Sequence, residues 1–165
     1  MGRTIMKWFL LLVVTLPVLL LVAGQAGLLR GSPPGDLGVT QGRLKALSNT
    51  PNCVSSQAQL YPGHPQQTYA QIDPLPLKDT GPQASIDALT QALKAMNGVT
   101  ITAEQPGYVR AEAQTRWLKF TDDLEFWVNP ERGVIEVRSA SRLGRKDFAA
   151  NRNRIETLRS AYQAL

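Results

Sequence analysis

The sequence predicts an α+β fold: a single small domain in which two helices cover one face of a four-stranded antiparallel sheet. Three observations lead to this class. Apolar residues recur at helical spacing in two segments, they alternate with polar residues in four segments between these, and the connections are short. The order α-β-β-β-β-α with short connections is typical of an antiparallel sheet packed against helices.

The 165 residues amount to about one ordinary domain, and only part of them is available for it. We expect a membrane or export segment over 1–26, a flexible linker over 27–47 and a domain over 48–165. Within that domain, 48–81 forms an irregular arm and 82–165 the folded unit. The one Cys and one His exclude a disulfide framework and any zinc site built only from those residues.

The N-terminal segment carries the clearest signal in the chain. Arg3 and Lys7 precede an uncharged apolar run, Trp8–Gly24, which would extend about 25 Å as a helix. That length suits either a membrane anchor or a signal peptide cleaved after Ala26. Positive charge ahead of the run predicts a cytoplasmic N-terminus, with the rest of the chain outside the cytoplasm.

The stretch between this segment and the folded unit is rich in Pro and Gly. GSPPGDLG at 31–38 has the turn-forming residues of a flexible stalk. The arm has no sustained helical or alternating period, yet it carries apolar side chains such as Leu60, Tyr69 and Ile72. Too many such residues are present for a solvated linker, so we expect 48–77 to lie ordered along the domain surface.

The first helix of the folded unit is predicted over 82–98. Ile86, Leu89, Leu93 and Met96 are spaced three, four and three, which places them on one helix face. Pro82 suits the first turn, and Asn97-Gly98 supplies the C-terminal stop.

Four strands follow, each with one apolar face. Their predicted ranges are 99–103, 108–117, 122–128 and 134–142.

The last helix is predicted to begin at Asp147, which caps it. Its apolar stripe is expected to consist of Phe148, Ile155, Leu158 and Tyr162.

Three stretches closely resemble the family known as domain of unknown function 1499: NTPNCVSSQA (49–58), FTDDLEFWV (120–128) and VIEVRSASRLGRKDFAANRNRIETLR (134–159). The resemblance covers the chain from about Leu37 to the C-terminus. It implies a small bacterial envelope or plastid protein behind an N-terminal hydrophobic segment, and it implies no particular activity. We therefore expect a single-pass protein of the bacterial inner membrane with a periplasmic domain, or a secreted periplasmic protein if the segment is cleaved.

Oppositely charged stretches adjoin at the last hairpin. Residues 104–136 are mainly acidic among their charged groups, and 138–159 are mainly basic. Keeping the apolar residues of both strands on one face leaves two registers, one with Glu125 and one with Asp123 opposite Arg138. The second would also place Glu125 opposite Glu136, and this like-charge pair disfavours it. Both registers predict a structural ion pair at Arg138.

A binding site is the alternative use of the same charges. The planar guanidinium groups of Arg138 and Arg142 suit a carboxylate or phosphate. The full set of candidate ligand-binding residues is Arg138, Arg142, Ser139, Ser141, Asn151 and Arg152. Ser139, Ser141 and Asn151 occupy inward-looking positions, where satisfying buried backbone groups is the competing role.

Two catalytic arrangements are conceivable, and neither is assigned. Asp122 and Asp123 could serve a hydrolase as acid and base, but adjacent strand residues point to opposite faces. Cys53 and His64 are the single thiol and imidazole, with no recognisable flanking signature. The sequence predicts no catalytic residue, no metal site and no cofactor.

The predicted function is that of a membrane-tethered, extracytoplasmic accessory or interaction protein of the cell envelope. Alternatives are a binding domain for an anionic small molecule or lipid head group, and then a hydrolase using the acidic hairpin. The expected partners are the membrane, through the N-terminal helix, and an envelope protein or anionic ligand. Arg3 and Lys7 are two of 18 basic residues, so 16 remain against 13 acidic ones outside the segment. This small excess, outside the cytoplasm, predicts no nucleic-acid partner.

Overall fold

The computed structural model describes residues 2–165 as ten regular elements. Helices and strands follow one another as α1 (Gly2–Gln25), β1 (Cys53–Ser55), α2 (Gln67–Ala70), β2 (Leu75–Pro76), α3 (Pro82–Ala95), β3 (Val99–Gln105), β4 (Tyr108–Gln114), β5 (Thr121–Asn129), β6 (Val134–Ser141) and α4 (Ala150–Gln163). A single 3₁₀ turn, Ala58–Leu60, lies between β1 and α2.

The six strands form one antiparallel sheet in the order β1-β6-β5-β4-β3, and β2 also pairs with β6. The α+β class is confirmed, but the expected counts of four strands and two packed helices are wrong. The arm supplies β1, β2 and the short helix α2. β1 and β2 are three and two residues long, and β2 contains Pro76. Strands this short show no alternation, so periodicity could not reveal them.

One face of the sheet is apolar and carries the main core. Val109, Phe126 and Val137 lie side by side across β4, β5 and β6 and are fully buried. α3 and α4 pack on this face and complete the core with seven buried side chains: Ile86, Leu89, Ala92, Leu93, Ile155, Leu158 and Tyr162.

The start of the last helix differs from the prediction. α4 begins at Ala150, because Phe148 and Ala149 have left-handed φ angles of 51° and 64°. Phe148 is 88% exposed and takes no part in the apolar stripe. Asp147 still stabilises the first turn, since its carboxylate accepts the backbone N–H of Asn151 at 3.1 Å.

The opposite face of the sheet is charged, and the segment before β1 covers it. Leu44 and Leu47, in the stretch predicted as linker, are buried. The backbone N–H of Gly38 donates to Oε1 of Glu125 at 2.7 Å. Because of this cover, Glu125 and Glu136 are fully buried although they point away from the apolar core.

The N-terminal helix α1 is long and apolar enough to cross a membrane, as a signal sequence would also be. Its apolar side chains from Trp8 to Val22 are exposed, whereas Gly24 near its C-terminal end is buried. Its C-terminal end contacts the β4–β5 connection. Nε2 of Gln25 donates to the carbonyl of Trp117 at 2.7 Å. Gly24 packs so closely that a Cβ there would lie 2.7 Å from the carbonyl oxygen of Leu118.

Candidate functional site

The ion pair between Arg138 and Glu125 occupies the middle of the charged face. β5 and β6 pair in the register that sets these two residues opposite each other. Nη1 of Arg138 lies 3.2 Å from Oε2 of Glu125, and the two side chains are 3% and 0% exposed. Glu125 also accepts the hydroxyl of Tyr108 at 3.0 Å. Burial, and then the Glu125 charge, raise the pKa of Tyr108 well above its ordinary value.

Arg142 forms a second buried cluster, directly after β6. Its Nε and Nη2 donate to the two oxygens of Asp123 at 2.8 and 2.7 Å, which is the bidentate arrangement. Nη2 also contacts Glu112. The hydrogen bonds to Asp123 raise the pKa of Arg142 further above its ordinary value, against the effect of burial. Asp123, the alternative partner for Arg138, is thus engaged by Arg142 instead.

A cavity of about 300 Å³ lies between these two clusters and the covering segment. Arg138, Arg142, Ser141 and Lys45 are among the residues that line it. Nη2 of Arg138 reaches the carbonyl of Ala46 at 3.4 Å. Nε of Arg138 is buried and has no hydrogen-bond partner, and it is the one such side-chain atom among the described residues.

Three of the candidate ligand residues lie outside this cavity. Ser139 points to the other side of the sheet, where α4 packs. Its hydroxyl donates to Oδ1 of Asn151, a residue of α4, at 2.5 Å. Nδ2 of Asn151 donates to the Ser141 hydroxyl and to the carbonyl of Asn52 at 3.0 and 3.1 Å. Arg152 donates to the carbonyl of Tyr69, which lies in α2. The structure therefore brings Arg138, Arg142 and Ser141 to the cavity, and it places Ser139, Asn151 and Arg152 elsewhere.

Arg154 of α4 belongs to the same group of polar contacts as Ser139 and Asn151. The sequence did not identify it as a site residue. Its guanidinium donates to Oδ2 of Asp122 at 2.6 Å and to Oδ1 of Asn151 at 2.9 Å. The signal was present in principle, because Arg154 follows Asn151 by three residues on one helix face. Alternation along β5 also places Asp122 on the face of Leu124 and Phe126, but nothing in the sequence indicated that Arg154 of α4 would reach it.

Asp147 and Tyr69 link the arm to the same end of α4. The Tyr69 hydroxyl donates to the Asp147 carboxylate. Burial, together with that carboxylate, raises the pKa of Tyr69 to about 12. Burial would raise the pKa of Asp147, but hydrogen bonds, first from Tyr69 and then from Asn151, outweigh it and hold that pKa below its ordinary value.

Glu136 is a buried carboxylate that the predicted ion-pair set did not include. It accepts from the Ser56 hydroxyl at 2.5 Å, from Nδ2 of Asn129 at 3.1 Å and from Nη1 of Arg132 at 2.7 Å. It borders a second cavity of about 470 Å³, whose wall also includes Leu60. Alternation along β6 predicts that Glu136 lies on the same face as Arg138. Its partner Ser56 comes from the arm, and the sequence did not predict the path of the arm.

The fold places the two candidate catalytic aspartates on opposite faces of the sheet. Asp122 bonds to Arg154 on one face of the sheet and Asp123 to Arg142 on the other. Cys53 is a buried free thiol, and burial raises its pKa. Nδ1 of His64 accepts the backbone N–H of Gln66 at 3.1 Å. Across residues 2–165, no group of three or more His, Cys, Asp and Glu side chains is arranged to hold a metal ion.

The model of one protein family, described as Protein of unknown function (DUF1499), matches residues 43–162. The match includes the whole sheet and α2 to α4, apart from the last residue of α4. No curated protein matches the chain. Because the family model spans more than half of the sequence, the chain belongs to this family.

Proposed function

We propose that this member of the DUF1499 family is a membrane-tethered accessory protein that acts by binding another protein on the extracytoplasmic side. The observation that carries the proposal is the pairing of its buried charges. Arg138, Arg142 and Arg154 each contact a carboxylate within the fold. Groups held in this way are fixed within the fold and are not poised to exchange protons with a substrate.

The N-terminal helix supplies the tether in this proposal. α1 is apolar from Trp8 to Gly24, and Arg3 and Lys7 ahead of this run favour a cytoplasmic N-terminus. The domain then lies in the cell envelope, where it can meet other membrane proteins.

The cavity beside Glu136 is the surface we favour for a protein partner. It is concave, and it combines the exposed apolar side chain of Leu60 with the charged groups of Arg43 and Arg132. An apolar anchor within a polar rim is the usual arrangement at protein interfaces.

Photo-crosslinking in intact cells tests this function. A photoreactive amino acid is placed at Leu60 in the full chain, and the matched control carries it at the exposed Gln163 on α4. We expect the Leu60 probe to give one crosslinked species with the same partner in repeated experiments, and the Gln163 probe to give none. Equal crosslinking at both positions, or none at Leu60, would contradict the proposal. A reporter fused after Leu165 that is active only in the cytoplasm would contradict the location.

A second candidate function is binding of a small anion in the cavity of about 300 Å³. It is supported by Nε of Arg138, a buried donor without a partner, at a site that Arg142 and Lys45 also line. A buried donor without a partner carries a desolvation cost that a bound carboxylate or phosphate oxygen would remove. Against it, both arginines already contact carboxylates, so the net charge available to attract an anion is small.

Replacing Arg138 by Lys separates charge from geometry at this cavity. The Arg138→Lys chain keeps a cation for Glu125 but loses the Nε donor. Calorimetric titration of the detergent-solubilised full chain with inorganic phosphate and with acetate should show binding that this variant loses. Arg152→Lys, which changes an arginine outside the cavity, is the control. Equal binding by both variants, or none by the unaltered chain, would remove this candidate.

A further inference from the structure

Apolar side chains that are exposed to solvent gather around the point where α1 meets the domain. Outside α1, most of the large apolar residues that the structure leaves exposed lie here. They are Leu28, Trp117, Phe120, Leu143 and Phe148. The exposed fraction reaches 62% for Trp117 and 88% for Phe148. We call this set the α1-proximal surface.

The C-terminal end of α1 and the chain that follows it both contact this surface. Gln25 and Gly24 contact the β4–β5 connection through Trp117 and Leu118. A Cβ on Gly31 would lie 3.0 Å from the side chain of Leu143, so the chain leaving α1 also passes the loop after β6. Phe120, Leu143 and Phe148 line one cavity of about 380 Å³ at this surface. The exposed residues thus form a neighbourhood and are not scattered.

Basic side chains accompany the apolar ones in the same two loops. Arg116, Lys119, Arg145 and Lys146 lie next to the exposed aromatic and aliphatic residues in sequence. Across residues 2–165, the ion pairs include none of these four. The two acids nearby have other partners, since Asp122 contacts Arg154 and Asp147 accepts from Tyr69 and Asn151.

We propose that the α1-proximal surface docks on the bilayer that α1 spans, with Trp117 and Phe148 in the interfacial region and the four basic side chains on anionic lipid head groups. The inference rests on α1 being the membrane anchor of the proposed function. Gly24 ends the apolar run and packs directly against Leu118, so no free linker separates the domain from the place where α1 leaves the apolar phase. The β4–β5 connection must then lie at head-group level.

The chemistry of the surface fits that position. Tryptophan is enriched at membrane–water interfaces, and clustered Lys and Arg side chains are attracted to anionic lipids. The Arg116 guanidinium lies over the Trp117 ring, 4.9 Å from its centroid, so that the aromatic and cationic groups are presented together. A protein partner on the same surface is the competing occupant. The fixed exit of α1 favours the lipid, because the bilayer would already cover these residues.

Depth-dependent quenching of single-tryptophan chains tests the proposal. The protein has three Trp residues, so replacing two of them by Phe leaves Trp8, Trp117 or Trp127 as the one emitter. Each full chain is reconstituted into phosphatidylcholine vesicles containing phosphatidylglycerol and lipids brominated near the head group. Trp8 reports on α1 itself. Trp127, which faces Gly42 within the domain, is the matched control.

We expect brominated lipid to remove most of the emission of the Trp117-only chain and to leave the Trp127-only chain unchanged. Loss of quenching when Arg116, Lys119, Arg145 and Lys146 are all replaced by Gln, in vesicles with phosphatidylglycerol, would assign the attraction to these charges. Quenching of Trp8 without quenching of Trp117 would overturn the docking proposal while leaving the anchor intact. Absence of quenching of Trp8 would instead refute the anchor, and with it the proposed function.

Discussion

The two faces of the sheet are buried to a similar degree but by different means. The face under α3 and α4 is filled by apolar side chains such as Leu124 and Phe126, whose contribution scales with the area removed from water. The face under residues 31–47 is filled by Glu125 and Arg138, which are 0% and 3% exposed, and by the Arg142 side chain, which is 4% exposed. Charges taken out of water gain little net stability from pairing, so this face depends on every partner being present. Removing one residue should therefore have different consequences on the two faces.

Arg138→Ala should produce the largest loss of stability of any single substitution on the charged face. It leaves the Glu125 carboxylate in a buried position without its cation, which costs on the order of 3–5 kcal/mol. The free energy of unfolding, from urea titration of the detergent-solubilised chain, measures the effect. Adding Glu125→Ala should restore part of the loss, because the unpaired charge is gone. A double variant less stable than Arg138→Ala would show that the two faces follow the same rule.

Leu124→Ala makes the matching change on the apolar face. Loss of this fully buried side chain leaves a cavity and should cost about 2–5 kcal/mol. Here a second truncation at Val137 should add to the loss, since no unpaired charge exists to be removed. Phe148→Ala serves as the control, because this exposed side chain should change stability by about 0.5 kcal/mol or less in detergent. Recovery of stability in the Leu124/Val137 double variant would contradict the distinction.

The Asp147 carboxylate adds a pH-dependent contribution to stability at the start of α4. Its pKa lies below the ordinary value of 3.8 in the folded protein, so the folded state favours the ionised form. The contribution is present above pH 3.8 and is lost as the pH falls through the lower, folded pKa. Asp147→Asn should therefore flatten the loss of stability below about pH 4. Acid unfolding curves that coincide for the variant and the unaltered chain would exclude this role.

Glu156→Ala should have the smallest effect. Glu156 forms an ion pair with Arg159, three residues further along α4, and the Glu156 side chain is 49% exposed. Water and salt screen such a pair, so the expected change is about 0.5 kcal/mol or less. The same urea titration at low and high salt should show almost no difference between the two chains. A loss comparable with that of Arg138→Ala would mean that burial does not decide the value of an ion pair in this protein.

Local sequence patterns were sufficient to predict the helices and strands in which apolar residues recur at a regular spacing. The helix at Pro82, the strands β3 to β6 and the pairing of Glu125 with Arg138 all follow from residues close together in the chain. The spacing of apolar residues places side chains on a face without reference to the rest of the fold. Phe148 shows the limit of this reasoning, because it fits the stripe by spacing and yet precedes the helix, where its backbone is left-handed.

The path of the arm could not be predicted, because it depends on contacts far apart in sequence. Ser55 lies opposite Arg138 in the sheet, and Ser56 donates to Glu136 across 80 residues of chain. Neither contact leaves a local pattern, and the same is true of the Gly38 N–H on Glu125. The sequence predicted outward-facing charges correctly by alternation, but it could not show that they would be covered.

What the sequence alone determined is the identity and periodicity of the segments: an apolar N-terminal run, two helical faces and four alternating strands, with acidic and basic groups on adjoining strands. Only the tertiary structure decided that the charged face is buried, that Arg138, Arg142 and Ser141 share a cavity without Ser139, Asn151 and Arg152, and that exposed apolar residues meet at the end of α1. The physical reason is that amphipathic patterns act over a few residues. The burial of a charge, and hence its energetic role, depends on which distant segment packs over it.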